Sequence, residues 1–361
     1  MHLSSNGQFH ISAILLQREE QSRRRDNREM TQETAKSEKA CCTPSAERGA
    51  DAACCSADPV SCGASHSLDA TADAQRPMVS LPGGTFLMGT DYADGFPADG
   101  EGPVRPVVLS PFAIDVFPVT NEDFSAFVHA TDYRTEAERF GWSFVFWSHI
   151  PQNRFQKLVE DTVANAPWWC KVRGACWKHP EGPGSNLDSR AKYPVVHVSW
   201  NDAASYAQWA GKSLPTEAQW EFAARGGLEQ KLYPWGDELA PDSKHLCNIW
   251  QGRFPTRDTA EDGYAGTCPV DAFPPNGYGL YSVTGNVWEW CADWFHTKFS
   301  ASPALYDPAG PAAGKGKVMK GGSFLCHASY CNRYRVGART QNTPDSSTAN
   351  IGFRCVKALS S

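Results

Sequence analysis

From Pro77 to the C-terminus, the apolar stretches of this chain are short and are interrupted every few residues by Gly, Pro, Asn or Asp. Such punctuation ends helices and strands early. The chain has 361 residues and 41% of them are apolar, so a large core can form although regular elements are scarce. The 13 Trp side chains are suited to fill that core as rigid packing blocks. We therefore expect one loop-rich α+β domain over residues 77–361.

Residues 1–76 have a different composition, rich in Ser, Ala, Glu, Arg and Asp and almost without aromatics. Such a segment cannot bury enough apolar surface to offset the entropy of ordering it, so we expect a disordered tail. The tail contains five cysteines, namely Cys41, Cys42, Cys54, Cys55 and Cys62. Its vicinal pairs could hold a soft metal or exchange disulfides. The alternative is a solvated tail whose thiols do little.

A few local elements can be predicted within the domain. Residues 78–88 favour two strands joined at Pro82-Gly83-Gly84, and residues 112–119 favour another. Three helices have side chains that can cap their N-termini. The predicted spans are residues 121–130 after Thr120 or from Asn121, residues 200–210 after Ser199 or Asn201, and residues 217–225 after Thr216, with Gln219 completing a capping box. After Gly227 almost no helical periodicity is left.

The charge balance and the hydropathy pattern exclude several classes of protein. The net charge is −6 and the sequence pI is about 5.9, which argues against a general nucleic-acid binder. No stretch of about 18 apolar residues is present, so we expect no transmembrane helix. The short apolar run near residue 11 is followed at once by polar residues and does not read as a secretory signal. We expect a cytoplasmic monomer with mostly reduced thiols.

Cys326 and Cys331 mark the strongest local candidate for chemistry. Five positions apart, they would face away from each other on a straight strand or a helix, so they can meet only if the chain turns. A disulfide, half of a zinc site, a two-thiolate clamp on a soft ion such as Cu(I), and two unrelated thiols all remain open. His327, Arg333 and Arg335 lie nearby in sequence and could lower a thiol pKa.

A second candidate lies between Cys247 and Glu289, where carboxylates, amides and tight turns recur in irregular chain. Such side chains, together with backbone carbonyls, can form oxygen cages for Ca²⁺. Ordinary Asx-turns and solvated carboxylates would explain the same residues equally simply.

Taken together, these segments resemble the formylglycine-generating enzyme family, also called sulfatase-modifying factors, over about residues 77–357. Four motifs are shared with the wider superfamily: residues 82–89 (PGGTFLMG), 194–203 (PVVHVSWNDA), 214–221 (LPTEAQWE) and 285–290 (GNVWEW). Three more are specific for the aldehyde-generating branch: residues 326–331 (CHASYC), 341–347 (QNTPDSS) and 352–355 (GFRC).

The resemblance implies a sulfatase-modifying-factor fold related to C-type lectins, with little regular secondary structure. It also implies an oxidase that uses O₂ to convert the cysteine of a C-x-P-x-R segment in an unfolded sulfatase to Cα-formylglycine. By the same residue-wise match, Cys326 and Cys331 would hold Cu(I), Ser323 and Tyr330 would line the pocket, and Trp288 would form part of its wall. For Trp288, simple core packing is the alternative.

The resemblance further implies two Ca²⁺ sites that brace loops. One would use Asn248, the Ile249 carbonyl, Asp262 and the Tyr264 carbonyl. The other would use Ser282, the Gly285 and Val287 carbonyls and Glu289. Ser282 stands where the animal enzymes have Asn, which makes the second site the weaker match.

The cysteines depart from the animal pattern, which has two structural disulfides. Ala207 stands at the position that is paired there with Cys355, and Ala224 and Val336 replace both cysteines of the other bridge. These replacements fit a reducing compartment. Five further cysteines lie outside that framework: Cys170, Cys176, Cys247, Cys268 and Cys291. Cys170 and Cys176 could pair with each other, but we expect free thiols because the compartment is expected to be reducing.

Two other functions compete with the copper oxidase. A sulfoxide synthase relative would use non-haem iron bound by a helical His pattern, and no H-x-x-x-H or H-E-x-x-H occurs here. A non-enzymatic C-type-lectin-like binding module would need no cysteine pair in a pocket.

Overall fold

A computed structural model describes residues 43–45 and 76–359 of the chain. Most of the expected tail, with its five cysteines, therefore lies outside the described residues. Within the described ranges the expected mixture of short helices, short strands and long loops is confirmed. No helix in those ranges is long and apolar enough to cross a membrane.

Fifteen short strands form five small sheets in the described ranges. Their bounds are β1 Met78–Leu81, β2 Gly84–Met88, β3 Arg105–Leu109, β4 Phe112–Asp115, β5 Trp142–Phe146, β6 Val159–Val163, β7 Ala166–Arg173, β8 Gly252–Arg253, β9 Arg257–Asp258, β10 Trp288–Trp294, β11 Leu305–Tyr306, β12 Lys317–Lys320, β13 Thr340–Asn342, β14 Ile351–Gly352 and β15 Val356–Ala358. The strand orders are β1-β4-β15, β13-β12-β10-β14, β11-β3-β2, β5-β7-β6 and β8-β9.

The strands predicted on either side of Pro82-Gly83-Gly84 form, but they do not pair with each other. β1 pairs with β4, and β2 pairs with β3, both antiparallel. The loop therefore carries the chain from one sheet to another instead of closing a hairpin. The strand predicted over residues 112–119 ends at Asp115, because residues 116–119 form a turn toward the next helix.

Five α-helices are described: α1 Asn121–Thr131, α2 Glu136–Phe140, α3 Phe155–Leu158, α4 Trp200–Trp209 and α5 Glu217–Arg225. The predicted caps are confirmed, with Thr120, Ser199 and Thr216 at the N-caps of α1, α4 and α5. Each forms a capping box with the residue three positions on, which satisfies two otherwise unpaired backbone donors. After Gly227, the only helical element in the described chain is the short 3₁₀ turn Pro241–Ser243.

The four-stranded sheet that holds β10 and β12 positions the candidate site. β10 pairs antiparallel with β12 and parallel with β14, so Trp288 lies beside Ile351. Trp288 and Trp290 are both fully buried in the largest apolar cluster, which also contains Cys326 and Cys331. The cysteine-bearing loop that follows β12 is thus packed against the centre of the domain.

Candidate active site

The loop after β12 turns sharply because two consecutive glycines adopt positive φ angles. Gly321 has φ 93° and Gly322 has φ 75°, a region that favours glycine. A Cβ atom on Gly322 would lie 2.8 Å from the Cα atom of Tyr334. Only glycine therefore lets the start of this loop pack against its own end.

The turns that follow bring the two cysteines of the loop together. The Cys326 amide donates to the Ser323 carbonyl at 2.9 Å, and the Cys331 amide donates to the His327 carbonyl at 2.7 Å. The two Sγ atoms lie 3.4 Å apart and both side chains are fully buried. A disulfide would need about 2.05 Å between them, so these two sulfurs are not bonded to each other.

The two cysteines differ in their bonding. Cys326 carries a thiol, and its Sγ accepts a hydrogen bond from the Ser323 amide at 3.4 Å. Cys331 is disulfide-bonded. The other six cysteines of residues 76–359 are thiols, like Cys326. The partner of Cys331 is therefore not among the described cysteines.

Ser323 is oriented by a residue that the sequence analysis did not single out. Asn350 donates from Nδ2 to Ser323 Oγ at 2.9 Å, and the Asn350 carbonyl accepts from the Trp288 amide at 2.9 Å. All three residues are fully buried. Asn350 follows the QNTPDSS motif by three positions, but a buried Asn in a loop has no sequence signal that distinguishes it from a turn residue.

Trp288 keeps its indole N–H without a hydrogen-bond partner among the described residues. A buried donor of this kind calls for an acceptor. Since Trp288 belongs to the same apolar cluster as Cys326 and Cys331, its position fits a pocket wall as well as core packing.

Tyr330 contributes an aromatic surface next to the cysteine pair. Its ring stacks on Phe254, with centroids 4.6 Å apart, and meets Trp168 edge-on at 5.1 Å. Sequence reasoning missed Phe254 and Trp168, which come from distant parts of the chain and carry no local signal of this role.

Two arginines that follow Cys331 have different partners. Arg333 approaches Cys331 Sγ to 3.9 Å with Nη1 and donates from Nε to Asp99 Oδ2 at 2.6 Å. Arg335 turns away and forms two hydrogen bonds with Glu101, both 2.8 Å long. Desolvation raises the pKa of Asp99, and the hydrogen bond from Arg333 opposes that effect. Of the two, Arg333 is therefore the arginine within reach of a site sulfur, that of Cys331.

The residues expected at the first Ca²⁺ site converge. Gln251 donates from Nε2 to the Ile249 carbonyl and, at 2.8 Å, to Asp262 Oδ2. The Tyr264 amide donates to Asp262 Oδ1 at 2.9 Å. Asn248 is 1% exposed, and its Oδ1 atom has no hydrogen-bond partner among the described residues. This buried acceptor directly precedes Ile249, whose amide donates to Asp262 Oδ2 at 3.0 Å, and such a set of oxygens fits an oxygen-liganded cation.

The residues expected at the second Ca²⁺ site do not fit one. Both carboxylate oxygens of Glu289 accept from Arg354, at 2.6 and 2.8 Å, and Oε2 also accepts from Trp220 Nε1 at 2.8 Å. Ser282 donates from Oγ to the Val270 carbonyl at 2.9 Å. The buried Arg354 guanidinium binds both oxygens of Glu289. The expected ligand set therefore has no available carboxylate; it consists of Ser282, Gly285, Val287 and Glu289.

The cysteines outside the candidate site behave as structural thiols. Burial raises the pKa of Cys170 and of Cys268 to about 12, and it also raises the pKa of Cys176, Cys247 and Cys291. A high pKa keeps a thiol protonated and unreactive. Ala207 lies in the same apolar cluster as Cys355, and Ala224 lies in another with Val336, so core packing occupies the positions of the missing bridges.

No group of three or more His, Cys, Asp or Glu side chains that could hold a metal occurs in residues 43–45 and 76–359. A structural zinc site takes four such ligands. The described residues therefore supply no further ligands for a zinc site at Cys326 and Cys331, whereas the distance between the two sulfurs is compatible with a two-sulfur clamp.

Comparison with known proteins agrees with these observations. Residues 65–359 match the model of the sulfatase-modifying factor enzyme 1-like domain. A formylglycine-generating enzyme of Thermomonospora curvata is 64% identical over 281 residues, covering 77% of this chain and 92% of that protein. The inactive Cα-formylglycine-generating enzyme 2 of Mus musculus is 51% identical over 290 residues, covering 79% of this chain and 87% of that protein.

A solved structure, that of PvdO from Pseudomonas aeruginosa, has the same fold. It superimposes with a TM-score of 0.56 at 27% identity and covers 78% of this chain and 94% of its own. Together with the extent of the family match, this establishes that the chain belongs to the sulfatase-modifying-factor family, as an enzyme of its formylglycine-generating group that oxidises cysteine.

Proposed function

We propose that this enzyme uses Cu(I) and O₂ to oxidise the cysteine of a C-x-P-x-R segment in an unfolded sulfatase. The observation that carries the proposal is the pair of buried sulfurs, Cys326 Sγ and Cys331 Sγ, 3.4 Å apart. Soft thiolate ligands select Cu(I) over harder ions, and Cu(I) tolerates low coordination. The reaction requires Cys331 as a thiol, and thus reduction of its disulfide.

The reaction balances with one O₂ and two electrons from an added thiol. The substrate –CH₂SH, O₂ and two thiols R–SH give –CHO, H₂S, H₂O and one disulfide RS–SR. Hydrogen leaves the substrate Cβ and its sulfur to give a thioaldehyde, and water then replaces sulfur by oxygen. Bound Cu(I) would supply the place where the substrate thiolate and O₂ come together.

The protein's own residues position the reactants. Cys326 and Cys331 would hold the ion and thereby fix the substrate sulfur, so that orientation supplies much of the rate. Ser323, oriented by Asn350, would hold a water or an oxygen species through Oγ. Trp288 offers its unpartnered indole N–H. Tyr330, with Phe254, presents an apolar surface that fits the proline ring of the segment.

Calcium is proposed at the first site only. Asn248, Ile249, Asp262 and Tyr264 would hold it and brace the loop that starts next to Cys247. Because the Glu289 carboxylate is bound by Arg354, no ion is proposed at the second site. A reducing, cytoplasmic setting is proposed because it suits the seven described thiols and would reduce the Cys331 disulfide, as the reaction requires. The enzyme is proposed to act as a monomer.

The proposal is tested by incubating the protein with a C-x-P-x-R peptide, Cu(I), a thiol reductant and air, followed by mass spectrometry of the peptide. The expected product is the aldehyde. It should be absent without O₂, without copper, and from a matched peptide in which Ser replaces the cysteine. Aldehyde formed at the same rate after copper is chelated and removed would overturn the copper assignment.

A further inference from the structure

A short piece of the N-terminal segment is seated on the catalytic domain. Asn342, at the end of β13, holds it with both ends of its amide: Nδ2 donates to the Pro44 carbonyl at 3.0 Å, and Oδ1 accepts from Ser45 Oγ at 2.7 Å. Thr43 is 2% exposed and Asn342 is also 2% exposed. A side-chain amide that binds backbone and hydroxyl in this way is a means of gripping an extended peptide.

Cys331 gives a second, independent observation. It is disulfide-bonded, while the other seven described cysteines are thiols. Its partner therefore belongs to the remaining five cysteines of the sequence, which are Cys41, Cys42, Cys54, Cys55 and Cys62. In the sequence, Cys42 directly precedes Thr43, the first residue of the seated piece.

Contacts on the domain link Cys331 with Asn342. Arg333 approaches Cys331 Sγ to 3.9 Å and binds the Asp99 carboxylate at 2.6 Å. Arg339 donates from Nη1 to the Asp99 carbonyl at 3.0 Å. Asp99 therefore binds two arginines of this segment, one that lies two residues after Cys331 and one that lies three residues before Asn342.

The sequence around the seated residues 43–45 is that of an incomplete substrate. Residues 42–46 read CTPSA, which matches the C-x-P-x-R segment of the proposed function at its Cys and its Pro. Ala46 stands at the position of the Arg. A segment with the cysteine and the proline but without the arginine would be expected to enter the same groove and to bind there less tightly than a substrate.

We propose that the seated residues 43–45 belong to an intramolecular pseudosubstrate, which Asn342 holds in the substrate groove and which a Cys42–Cys331 disulfide locks there. This inference rests on the proposed function for the identity of the groove. The lock forms by thiol–disulfide exchange: two thiols of the protein and one small-molecule disulfide RS–SR give the Cys42–Cys331 bond and two R–SH. Excess R–SH reverses it.

The locked state cannot turn over, for two reasons. The groove is filled by the chain's own segment, and the Cys331 sulfur is no longer available as a thiolate. A thiol reductant opens the lock, after which the segment still competes with a substrate, although only as a tethered, reversible inhibitor. The activity of the enzyme thereby depends on the ratio of thiol to disulfide in its surroundings.

The lock is tested by peptide mapping of the full chain, purified without reductant and digested under non-reducing conditions. A cross-link between the peptides that contain Cys42 and Cys331 is expected, in a protein that migrates as a single chain. It should disappear with a thiol reductant and in Cys42→Ser, and persist in the matched control Cys41→Ser. Cys331 recovered as a thiol, linked to another cysteine, or linked between two chains would overturn the lock.

Occupation of the groove is tested separately, under reducing conditions, by fluorescence anisotropy with a labelled S-x-P-x-R peptide that cannot react. Thr43→Glu/Ser45→Ala puts a charge at a buried position and removes one bond to Asn342. If the segment fills the groove nine-tenths of the time, this variant should bind the probe about tenfold more tightly than wild type. The control Ser67→Ala/Thr71→Glu makes the same changes elsewhere in the tail and should bind like wild type.

The outcomes separate this inference from the proposed function. Equal affinity of wild type and Thr43→Glu/Ser45→Ala for the probe would overturn occupation of the groove while leaving the proposed function intact. Failure of every variant to bind the probe or to oxidise a C-x-P-x-R peptide would overturn both the identity of the groove and the pseudosubstrate.

Discussion

Asn350 donates a hydrogen bond from Nδ2 to Oγ of Ser323 over 2.9 Å, and the amide of the same serine donates to Cys326 Sγ over 3.4 Å. Asn350 is thus a positioning residue that acts through Ser323. Removing a group that orients a site residue typically lowers activity by about 10–100-fold. Asn350→Ala should lower kcat by about that factor and leave the affinity for the peptide nearly unchanged.

Steady-state kinetics with a C-x-P-x-R peptide separate this role from a structural one. The double variant Ser323→Ala/Asn350→Ala should lose no more kcat than Ser323→Ala alone, because Asn350 then has no serine hydroxyl left to orient. Strictly additive losses would mean that Asn350 acts independently of Ser323.

The Glu289–Arg354 pair should be among the most important buried contacts for stability. Both side chains are at most 1% exposed, and two hydrogen bonds of 2.6 and 2.8 Å join them. Arg354→Met leaves a buried carboxylate without its cation, which should lower the free energy of unfolding by about 3–5 kcal/mol. Denaturant unfolding measures this loss.

The control for that pair is Arg173→Met, which removes a bridge to Glu160 from a side chain that is 69% exposed. Exposed ion pairs contribute about 0–1 kcal/mol, so little should change. A loss below about 1 kcal/mol for Arg354→Met would contradict the role given to the buried pair.

His197 should make the stability depend on pH. It is fully buried between Ser143 Oγ and the Pro180 carbonyl, each 2.8 Å away, and burial lowers its pKa from 6.5 to about 4. Folding therefore favours the neutral ring. The contribution of neutral His197 to the free energy of unfolding is complete above about pH 6.5. It is lost as the pH falls towards 4, because the unfolded chain binds the proton at a higher pH than the folded chain does.

The gap between those two pKa values corresponds to about 3 kcal/mol. Denaturant unfolding of wild type and His197→Gln at about pH 7.5 and about pH 4.5 isolates this contribution. Wild type should lose more stability than the variant on acidification. An equal loss in both proteins would show that His197 does not titrate in this way.

Calcium should stabilise the fold through Asp262. If Asn248, Ile249, Asp262 and Tyr264 hold the ion, adding Ca²⁺ to chelator-treated protein should raise its Tm by mass action. Asp262→Ala should abolish that increase. The neighbouring Glu261→Ala, which removes a carboxylate bonded to Thr259, should keep it. A Tm of wild type that does not respond to Ca²⁺ would contradict the proposed site.

Local features of the fold could be predicted because their causes are local. The capping box of Thr216 and Gln219 depends on residues three positions apart. By contrast, β14 is recruited to β10 across more than 60 positions, and the antiparallel sheet of β5, β6 and β7 depends on pairing that no short pattern specifies.

The candidate site could be predicted only in part from the sequence, because several of its residues come together through long-range contacts. Cys326 and Cys331 could be singled out by type, and the turns that bring them together are local, within residues 323–331. Asn350, Phe254 and Trp168 reach the site from other parts of the chain. Nor does any short sequence pattern indicate that Arg354, 65 positions away, binds both oxygens of Glu289.

The most direct test of the account measures Cu(I) binding and aldehyde formation together in reduced protein. Wild type should bind one Cu(I) and convert a C-x-P-x-R peptide to the aldehyde. Cys326→Ser and Cys331→Ser should lose both properties, while Cys291→Ser, a buried thiol whose pKa is raised by burial, should keep both. Undiminished copper binding and turnover in Cys326→Ser or Cys331→Ser would contradict the account.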